Sequence, residues 1–258
     1  MTLTEQFTCV GGLVQGRDHR RMLRDGQDGL AAREGEHGLG LAVTDGCGSA
    51  SHSEVGARLG AAWLAARAPA VLEDHPSSFA EELSTGLCRF LETVVRELEG
   101  TRDRAAIVGE MFLFSFVCAV VTAERVIVVG RGDGLVDHNG TRTCLTAGDD
   151  NAPDYLGYEL TLPRESSARA PSSRPATERD TRGTHVLVDA RTDDLRSLVL
   201  ATDGLFPLAD RPDELAALRD GALAAKSPAW LVRRLRVLAD RGPLRDDAAV
   251  IALGRRPS

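Results

Sequence analysis

The stretch LGLAVTDGCG at residues 39–48 decides the fold that the sequence predicts. In an extended strand, the alternate apolar residues from Leu39 to Val43 turn towards one core, and Asp45 comes last on the same face. The Asp-Gly step then ends the strand. Gly46 and Gly48 permit backbone angles that other residues avoid, so the loop can approach a ligand closely. A single Asp-Gly step at the end of a strand is usually an ordinary turn, but the strand-like run SLVLATDG at residues 197–204 ends in another.

The composition limits the classes of protein that the chain can belong to. Its 258 residues suit one domain, and we expect residues 1–258 to form a single unit. A formal net charge of -7 argues against nucleic acid as a partner, because such binders carry a basic face. Five scattered cysteines without a CxxC pair fit reduced thiols. With no signal-peptide pattern and no apolar run long enough for a membrane span, the sequence predicts a cytoplasmic protein without a membrane partner.

The apolar patterns predict a mixed α and β chain. Strands are expected at 7–14, 39–45, 111–121, 126–130, 186–188, 197–202 and 248–253, and helices at 51–68, 77–99, 212–225 and 228–241. Ser51 or Ser53 is expected to cap the first helix and Pro69 to mark its end, while Asn139-Gly140 predicts a hairpin. Residues 163–183 are polar and rich in Ser, Arg and Pro, which indicates an insertion that is either a surface loop or a flap.

Four aspartates lie at the edges of predicted strands: Asp28, Asp45, Asp203 and Asp246. If they converge, their mutual repulsion raises their pKa values and lowers stability unless a cation neutralises them. Carboxylate oxygens without paired His or Cys select a hard ion, so the residues favour Mg²⁺ or Mn²⁺ over Zn²⁺. Two such ions can lower the pKa of a bridging water and orient it for attack on phosphorus.

Five motifs, in their order along the chain, resemble those of the type-2C metal-dependent serine/threonine protein phosphatases, in a bacterial branch. They are QD at 27–28, AVTDGCGSASHSEVGA at 42–57, GRGDG at 130–134, LATDG at 200–204 and RDDAAVI at 245–251. The resemblance covers nearly the whole chain. It implies an α+β fold, a four-layer α-β-β-α sandwich of two packed antiparallel sheets flanked by helices, with a two-metal site at one edge.

The resemblance also implies the ligands of two ions. Asp45 matches the carboxylate that bridges them, and Gly46 matches a backbone carbonyl ligand. Asp203 and Asp246 match the other direct ligands of the first ion. The pair at 27–28 matches the acidic pair of the second ion, with Asp28 as its acid and the amide of Gln27 in the other place.

An additional ion is found in bacterial relatives, and Asp133 resembles one of its ligands. The usual partner of that ligand lies four residues past the Asp203 position, where this chain has Pro207. The resemblance therefore implies that the extra site is weak or absent here.

The phosphate-binding side of the site departs from the family pattern. Many members place an arginine five residues before the aspartate of the acidic pair, where this chain has Leu23. The opening GRDH…GQD instead resembles the branch with a histidine nine residues before that aspartate, which implies His19. Arg24 is a neighbouring candidate for the phosphate, as are Arg20 and Arg21. Without the resemblance, this basic run fits a solvated loop as well as an anion site.

The proton donor for the leaving group has no assignment from the sequence. Cys47 occupies the place where some eukaryotic members carry a histidine proposed as the general acid. Nothing nearby in the sequence supplies Cys47 with a paired base, so we do not interpret it as a nucleophile. His52 is expected to begin the helix that follows and to face solvent.

The sequence thus predicts an enzyme that hydrolyses phosphoserine or phosphothreonine in proteins, using a water activated by two Mn²⁺ or Mg²⁺ ions. Its substrates would be signalling proteins phosphorylated by a serine/threonine kinase, and the chain would act as a monomer. The alternative is a phosphatase-like module that binds phosphorylated partners without turnover, suggested by Leu23, Gln27 and Pro207. A nucleotide loop at GRGDG is a weaker interpretation, because strand rather than helix is predicted after Gly134.

Overall fold

A computed structural model describes residues 2–100, 102–146, 153–161 and 183–257 of the chain. Within these ranges the strands are β1 Phe7–Val14, β2 Gly29–Gly35, β3 Gly38–Gly46, β4 Phe114–Val121, β5 Arg125–Arg131, β6 Gly134–His138, β7 Thr141–Leu145, β8 His185–Arg191, β9 Ser197–Ala201 and β10 Ala248–Arg255. The α-helices are α1 Leu3–Gln6, α2 Arg17–Arg21, α3 Ser53–Asp74, α4 Phe79–Leu98, α5 Arg104–Met111, α6 Pro212–Ala225 and α7 Pro228–Arg241. Apart from Gly183, the predicted insertion at 163–183 lies outside the described residues.

The strands form two antiparallel sheets of five. The first sheet has the order β1-β10-β9-β6-β7 and the second the order β2-β3-β4-β5-β8. One apolar cluster fills the space between the sheets. A second cluster packs helices α3, α4 and α5 on the second sheet, and a third packs α6 and α7 on the first sheet. This arrangement confirms the predicted four-layer α-β-β-α sandwich.

Strand β3 lies inside the second sheet, paired with β2 on one side and β4 on the other. As the alternation predicts, Leu39, Leu41 and Val43 belong to the cluster between the sheets, whereas Ala42 belongs to the cluster under the helices. Both faces of the strand are therefore buried. Its last two residues, Asp45 and Gly46, reach the edge of the sandwich.

Helix α3 differs from the prediction at both ends. His52, rather than Ser51 or Ser53, is the N-cap residue, and the exposed imidazole of His52 agrees with the solvent-facing position expected for it. The helix also continues through Pro69 to Asp74. Pro69 has no N–H group, so it cannot donate the helical hydrogen bond to the carbonyl of Ala65, four residues earlier. That carbonyl lies against Gly40 of β3, where the absence of a side chain leaves room for it.

The apolar pattern predicted the positions of three of the remaining helices, α4, α6 and α7. Helix α4 lies within the predicted range 77–99 and buries Phe79, Leu83, Leu87, Leu91 and Val95, whereas Leu98 is exposed. Helices α6 and α7 have the predicted bounds, and the Ser227 side chain accepts a hydrogen bond from the Trp230 N–H. Helix α5 was not predicted. The strand expected at 111–121 begins only at Phe114, because Met111 ends this helix.

The hairpin prediction is correct. Asn139 and Gly140 have φ angles of 55° and 90°, the left-handed conformation that a tight turn between β6 and β7 requires. Across the described ranges, no helix has both the length and the apolar character to cross a membrane.

The contact between Gly40 and Ala65 gives a test of the packing. A Cβ atom at Gly40 would lie 2.2 Å from the Ala65 carbonyl oxygen, so Gly40→Ala must displace strand or helix backbone. We expect urea unfolding to show a loss of about 1–3 kcal/mol, the usual cost of overpacking. Gly35→Ala on β2 is the matched control, because nothing lies within 4 Å of its Cβ position, and it should not destabilise the chain. Equal effects of the two substitutions would contradict this account.

Candidate metal centre

The predicted acidic residues meet at one edge of the sandwich, where the ends of strands from both sheets come together. Gly29, the first residue of β2, pairs with Thr44 near the end of β3, so the preceding Asp28 lies beside Asp45. In the first sheet, Ala201 at the end of β9 pairs with Val250 near the start of β10. This pairing brings Asp203, after β9, and Asp246, before β10, to the same edge.

Three carboxylates form the centre of this edge. One oxygen from each of Asp45, Asp133 and Asp203 lies within 4.8 Å of the others. Asp133 stands between β5 and β6, where the chain crosses from the second sheet to the first, and Gly132 before it has a φ of 85°. The Asp133 Oδ1 atom is buried without a hydrogen-bond partner among the described residues, as is the hydroxyl of Ser115.

Asp28 approaches the same centre from the side of β2 and is only 1% exposed. The hydroxyl of Thr202 donates a hydrogen bond of 2.6 Å to Asp28 Oδ2 and accepts one of 3.0 Å from the Ala249 N–H. Thr202 therefore fixes the Asp28 carboxylate against the first sheet. The sequence analysis did not single out Thr202, although it directly precedes Asp203.

Burial and mutual repulsion disturb the ionisation of the whole cluster. Burial, followed by the charges of neighbouring carboxylates, raises the pKa of Asp45 and of Asp28 well above the ordinary value. Burial also raises the pKa of Asp133, and it raises the pKa of Asp203 to about 6. In the described part of the chain, no Lys or Arg side chain forms a salt bridge with any of these four residues.

This donor set fits hard divalent cations. It consists of carboxylate oxygens, it includes a buried carboxylate oxygen without a hydrogen-bond partner, and no basic side chain of the described residues balances its charge. A cation with oxygen ligands would both satisfy that atom and remove the repulsion.

Asp246 and Asp247 have different surroundings although they are adjacent. The Asp246 side chain is 62% exposed, and its charge contributes to the raised pKa values of Asp203 and Asp133, so it faces the cluster from the solvent side. Asp247 is 2% exposed and accepts hydrogen bonds from the Gly16 N–H, the Gln27 N–H and His19 Nδ1 at 2.6, 2.5 and 2.8 Å.

Asp247 therefore ties three separate segments together beneath Asp28, a role that the sequence analysis missed. The doubled aspartate before β10 was the available signal. His19, predicted near the phosphate, is 7% exposed, and its Nδ1 lies 2.8 Å from Asp247 Oδ2 and 4.0 Å from Asp246 Oδ1.

The residues around the acidic pair hold the loop between β3 and α3. Gln27 donates from Nε2 to the Ala50 carbonyl at 2.8 Å. The guanidinium of Arg24 donates to the carbonyls of Gly48 and Ala50. Leu23, at the position where many members of the family carry arginine, has a fully exposed side chain.

Gly46 is required for space rather than for an unusual backbone angle. Neither Gly46 nor Gly48 has a positive φ, so the conformational argument from the sequence was wrong for both. A Cβ atom at Gly46, however, would lie 2.6 Å from the Gln27 carbonyl oxygen. Glycine therefore allows the end of β3 to approach the segment that carries Asp28.

A short helical segment, Leu156–Thr161, and the residues before it border the centre on the side of Asp133. Tyr155 is 9% exposed, and burial together with the nearby Cys47 and the carboxylates of Asp133 and Asp45 raises its pKa. The sequence analysis assigned no role to Tyr155, because nothing in its neighbourhood along the chain connects it with Cys47.

Comparison with known proteins identifies the same family as the motifs. The sequence profile of the family described as protein phosphatase 2C matches residues 15–246. A comparison with curated protein sequences finds no match.

Solved structures of similar fold cover nearly the entire chain. A bacterial serine phosphatase aligns with 97% of this chain and 98% of its own, at 17% identity and a TM-score of 0.60. The serine/threonine phosphatase Stp1 from Staphylococcus aureus covers 96% and 95% of the two chains at 16% identity and a TM-score of 0.58. The catalytic domain of PstP, solved in complex with two manganese ions, covers 98% and 99% at 18% identity and a TM-score of 0.58. At these identities the likeness establishes the fold.

The raised pKa values predict how pH and metal affect stability. At pH values between the unfolded pKa, near 3.9, and the higher folded pKa values, the folded chain binds more protons than the unfolded chain. These groups therefore make the metal-free protein less stable as pH rises. We expect Mn²⁺ to raise the melting temperature over that in EDTA, by more at about pH 7.5 than at about pH 5. Asp45→Asn should raise the melting temperature in EDTA at the higher pH, by about 3 °C or more. A metal effect that does not change with pH would contradict the assignment.

The contrast between Asp246 and Asp247 gives a second prediction. Asp247→Asn places an amide among three hydrogen-bond donors in a buried position, and we expect urea unfolding to show a loss of about 1–3 kcal/mol. Asp246→Asn, at an exposed position, should leave the unfolding free energy of the metal-free chain unchanged but weaken Mn²⁺ binding in calorimetric titration. If both variants lose stability equally, Asp247 does not have the structural role described.

Proposed function

The chain belongs to the protein phosphatase 2C family and is a metal-dependent protein-serine/threonine phosphatase, and we propose that its two ions are held by Asp45, Asp28, Asp203, Asp246 and the carbonyl of Gly46. The ions would be Mn²⁺ or Mg²⁺, since the donors are oxygen atoms. The observation that carries this assignment is the approach of three carboxylates to within 4.8 Å, without a basic partner among the described residues.

The position of Asp45 supports its role as the bridging ligand. Its carboxylate lies within 4.8 Å of those of Asp133 and Asp203, and after burial the charges of Asp28, Asp203 and Asp133 raise its pKa. Asp45 is therefore near ligands proposed for both ions, which supports a shared role. When bound, a pair of divalent ions lowers the pKa of a water and neutralises charge on the phosphoryl group.

The fold fixes these ligands before any substrate arrives. Thr202 orients Asp28 from the first sheet, and Asp247 holds the backbone of Gln27 directly before it. Rigid placement of the acidic groups is what a preorganised site requires, because no reorganisation then accompanies the reaction. Gln27 contributes to this placement through its bond to the Ala50 carbonyl.

Asp133 is proposed as a ligand of an additional ion. Its unpartnered Oδ1 and its place beside Asp203 support a contribution to the centre, in spite of Pro207 at the position of the usual partner. The strength of such a site stays a prediction, which the stoichiometry of Mn²⁺ in calorimetric titration will test.

Arg24 is proposed as a residue that holds the substrate phosphate. Its guanidinium is anchored by neutral backbone carbonyls rather than by a carboxylate, so its positive charge is not balanced in that loop. The Nδ1 atom of His19 is engaged by buried Asp247 and lies 4.0 Å from Asp246. We propose that His19 supports the acidic pair through Asp247 instead of touching the phosphate.

We also propose a biological setting for the chain. The substrates are proteins phosphorylated on serine or threonine, and a serine/threonine kinase would supply them. All five cysteines are free thiols, which supports a reducing, cytoplasmic setting. We propose that the chain acts as a monomer.

The test of the proposed function is release of phosphate from a phosphothreonine peptide. Activity should depend on Mn²⁺ or Mg²⁺, and Asp45→Asn should lower it by on the order of 100-fold or more, because the shared ligand is lost. Asp189→Asn is the control, since this exposed residue of β8 pairs with Arg125 of β5, and the activity of the variant should equal that of the wild type. Tight binding of the peptide without metal-stimulated turnover would instead support the binding module, and metal-independent hydrolysis would exclude the proposed centre.

A further inference from the structure

The outer side of helix α7 concentrates positive charge in a chain whose formal net charge is -7. Residues 228–245 contain five basic residues and one acidic residue, Asp240. All five basic side chains are exposed, and no salt bridge between described residues includes any of them: Arg233, Arg234, Arg236, Arg241 and Arg245. Asp240 pairs with Arg20 of α2 at 2.7 Å, so it does not balance this charge. The net charge therefore conceals a basic face, which we define as Arg233, Arg234, Arg241 and Arg245.

The basic face continues to the candidate metal centre. Helix α7 packs its apolar side on the first sheet and ends at Arg241. The chain then reaches Arg245, which directly precedes the proposed ligand Asp246. The Arg245 carbonyl accepts a hydrogen bond of 3.2 Å from the N–H of Asp18 in α2, and α2 leads to Arg24. A protein chain that leaves the metal centre on this side therefore meets the basic face.

A groove with apolar walls lies along the same face. It has a volume of about 500 Å³ and is lined by Ala217 of α6 and by Trp230, Arg233, Arg234 and Val237 of α7. The Val237 side chain is 45% exposed. The Trp230 ring is packed on Gly221 of α6, where an added Cβ atom would lie 2.2 Å from the ring. The groove thus presents apolar surface flanked by two guanidinium groups.

The dimensions of the face suit an extended peptide. Seven residues of helix separate Arg234 from Arg241, a distance of about 10 Å along the helix axis. Extended chain covers about 3.3 Å per residue, so about three residues of peptide span that distance. Guanidinium groups bind carboxylates through two parallel hydrogen bonds. An acidic run therefore matches the basic face, and an apolar side chain within the run matches the groove.

The charge of the rest of the enzyme gives this surface a function. An acidic metal centre and a net charge of -7 repel an acidic substrate. A basic face beside the centre offsets that repulsion, because opposite charges near a site speed the encounter and fix its orientation. Each exposed ion pair contributes little, so the effect depends on several arginines acting together.

We propose that the basic face of α7 docks an acidic segment of the phosphorylated protein substrate, with Trp230 and Val237 receiving an apolar side chain of that segment. This inference rests on the proposed function. The face is continuous with Arg24 and Asp246, which favours the substrate of the metal centre over a separate anionic partner.

Substrate preference gives the test. Phosphothreonine peptides are compared with and without a run of Glu residues around one Leu, placed about three to eight residues before or after the phosphothreonine, with Gln in the neutral peptides. The wild type should show a kcat/KM about 10-fold higher for one of the acidic peptides at low salt, and about 0.5 M NaCl should abolish the preference. In a double variant, Arg233→Gln with Arg234→Gln, the ratio of acidic to neutral kcat/KM should fall by about 3- to 10-fold, through KM.

A matched control separates docking from net charge. Arg67→Gln with Arg89→Gln makes the same change of charge at exposed residues of α3 and α4, in the opposite outer layer, and it should keep the preference. Charge reversal gives a gain of function: Arg233→Glu with Arg234→Glu should favour a peptide with Lys in place of Glu. Thermal unfolding will confirm that these surface variants are folded.

Three results would overturn the docking proposal: a wild type without preference, a double variant that keeps it, or an equal loss in the control. Binding to anionic phospholipid vesicles or to duplex DNA that the double variant loses, without any preference among peptides, would assign the face to another partner. If the wild type hydrolyses none of the peptides even with Mn²⁺, the proposed function fails. The basic face is then tested by Trp230 fluorescence with the unphosphorylated acidic peptide, and absence of salt-sensitive binding would refute docking as well.

Discussion

Repulsion among buried carboxylates is the constraint on which the rest of this structure depends. Asp28, Asp45, Asp133 and Asp203 are brought together at one edge of the sandwich, although burial, followed by the charges of neighbouring carboxylates, raises the pKa of each. A flexible chain would relieve this repulsion by moving the groups apart. Two five-stranded sheets with apolar material on both faces resist that movement, because separating the aspartates means breaking strand pairing or exposing core.

Local hydrogen bonds also fix the segments that carry the aspartates. Thr202 links Asp28 to the start of β10, and Asp247 links the segments that follow β1 and precede β2. The Asp247 carboxylate accepts hydrogen bonds from two backbone N–H groups and from His19, in contrast to the four carboxylates that meet at the edge. The fold thus uses one aspartate as structural support and leaves the others without balancing charge, which is the condition that makes a cation the stable partner.

The sequence could predict those features that depend on local pattern. The alternation of apolar residues defines strand β3. The cap Ser227, followed by Pro228, defines the start of helix α7. The order of acidic motifs identified which aspartates meet. Tertiary contacts decided the rest. Pro69 remains within a helix because Gly40 leaves room for a carbonyl without a helical hydrogen bond, and Asp247 differs from its neighbour Asp246 only in what surrounds it. The periodicity of apolar residues in the sequence indicates neither of these facts.

Tyr155 shows the same limit at the candidate site. Its position depends on Arg131, whose two acidic partners lie 23 and 28 residues further along the chain. The Arg131 side chain is buried while Glu159 is more than half exposed, so these contacts hold the segment from its inner side. Because Gly132 alone separates Arg131 from Asp133, the strand end that carries Arg131 also carries a carboxylate of the cluster. The segment that carries Tyr155 and the acidic centre that would hold the cations are therefore both anchored at the end of β5.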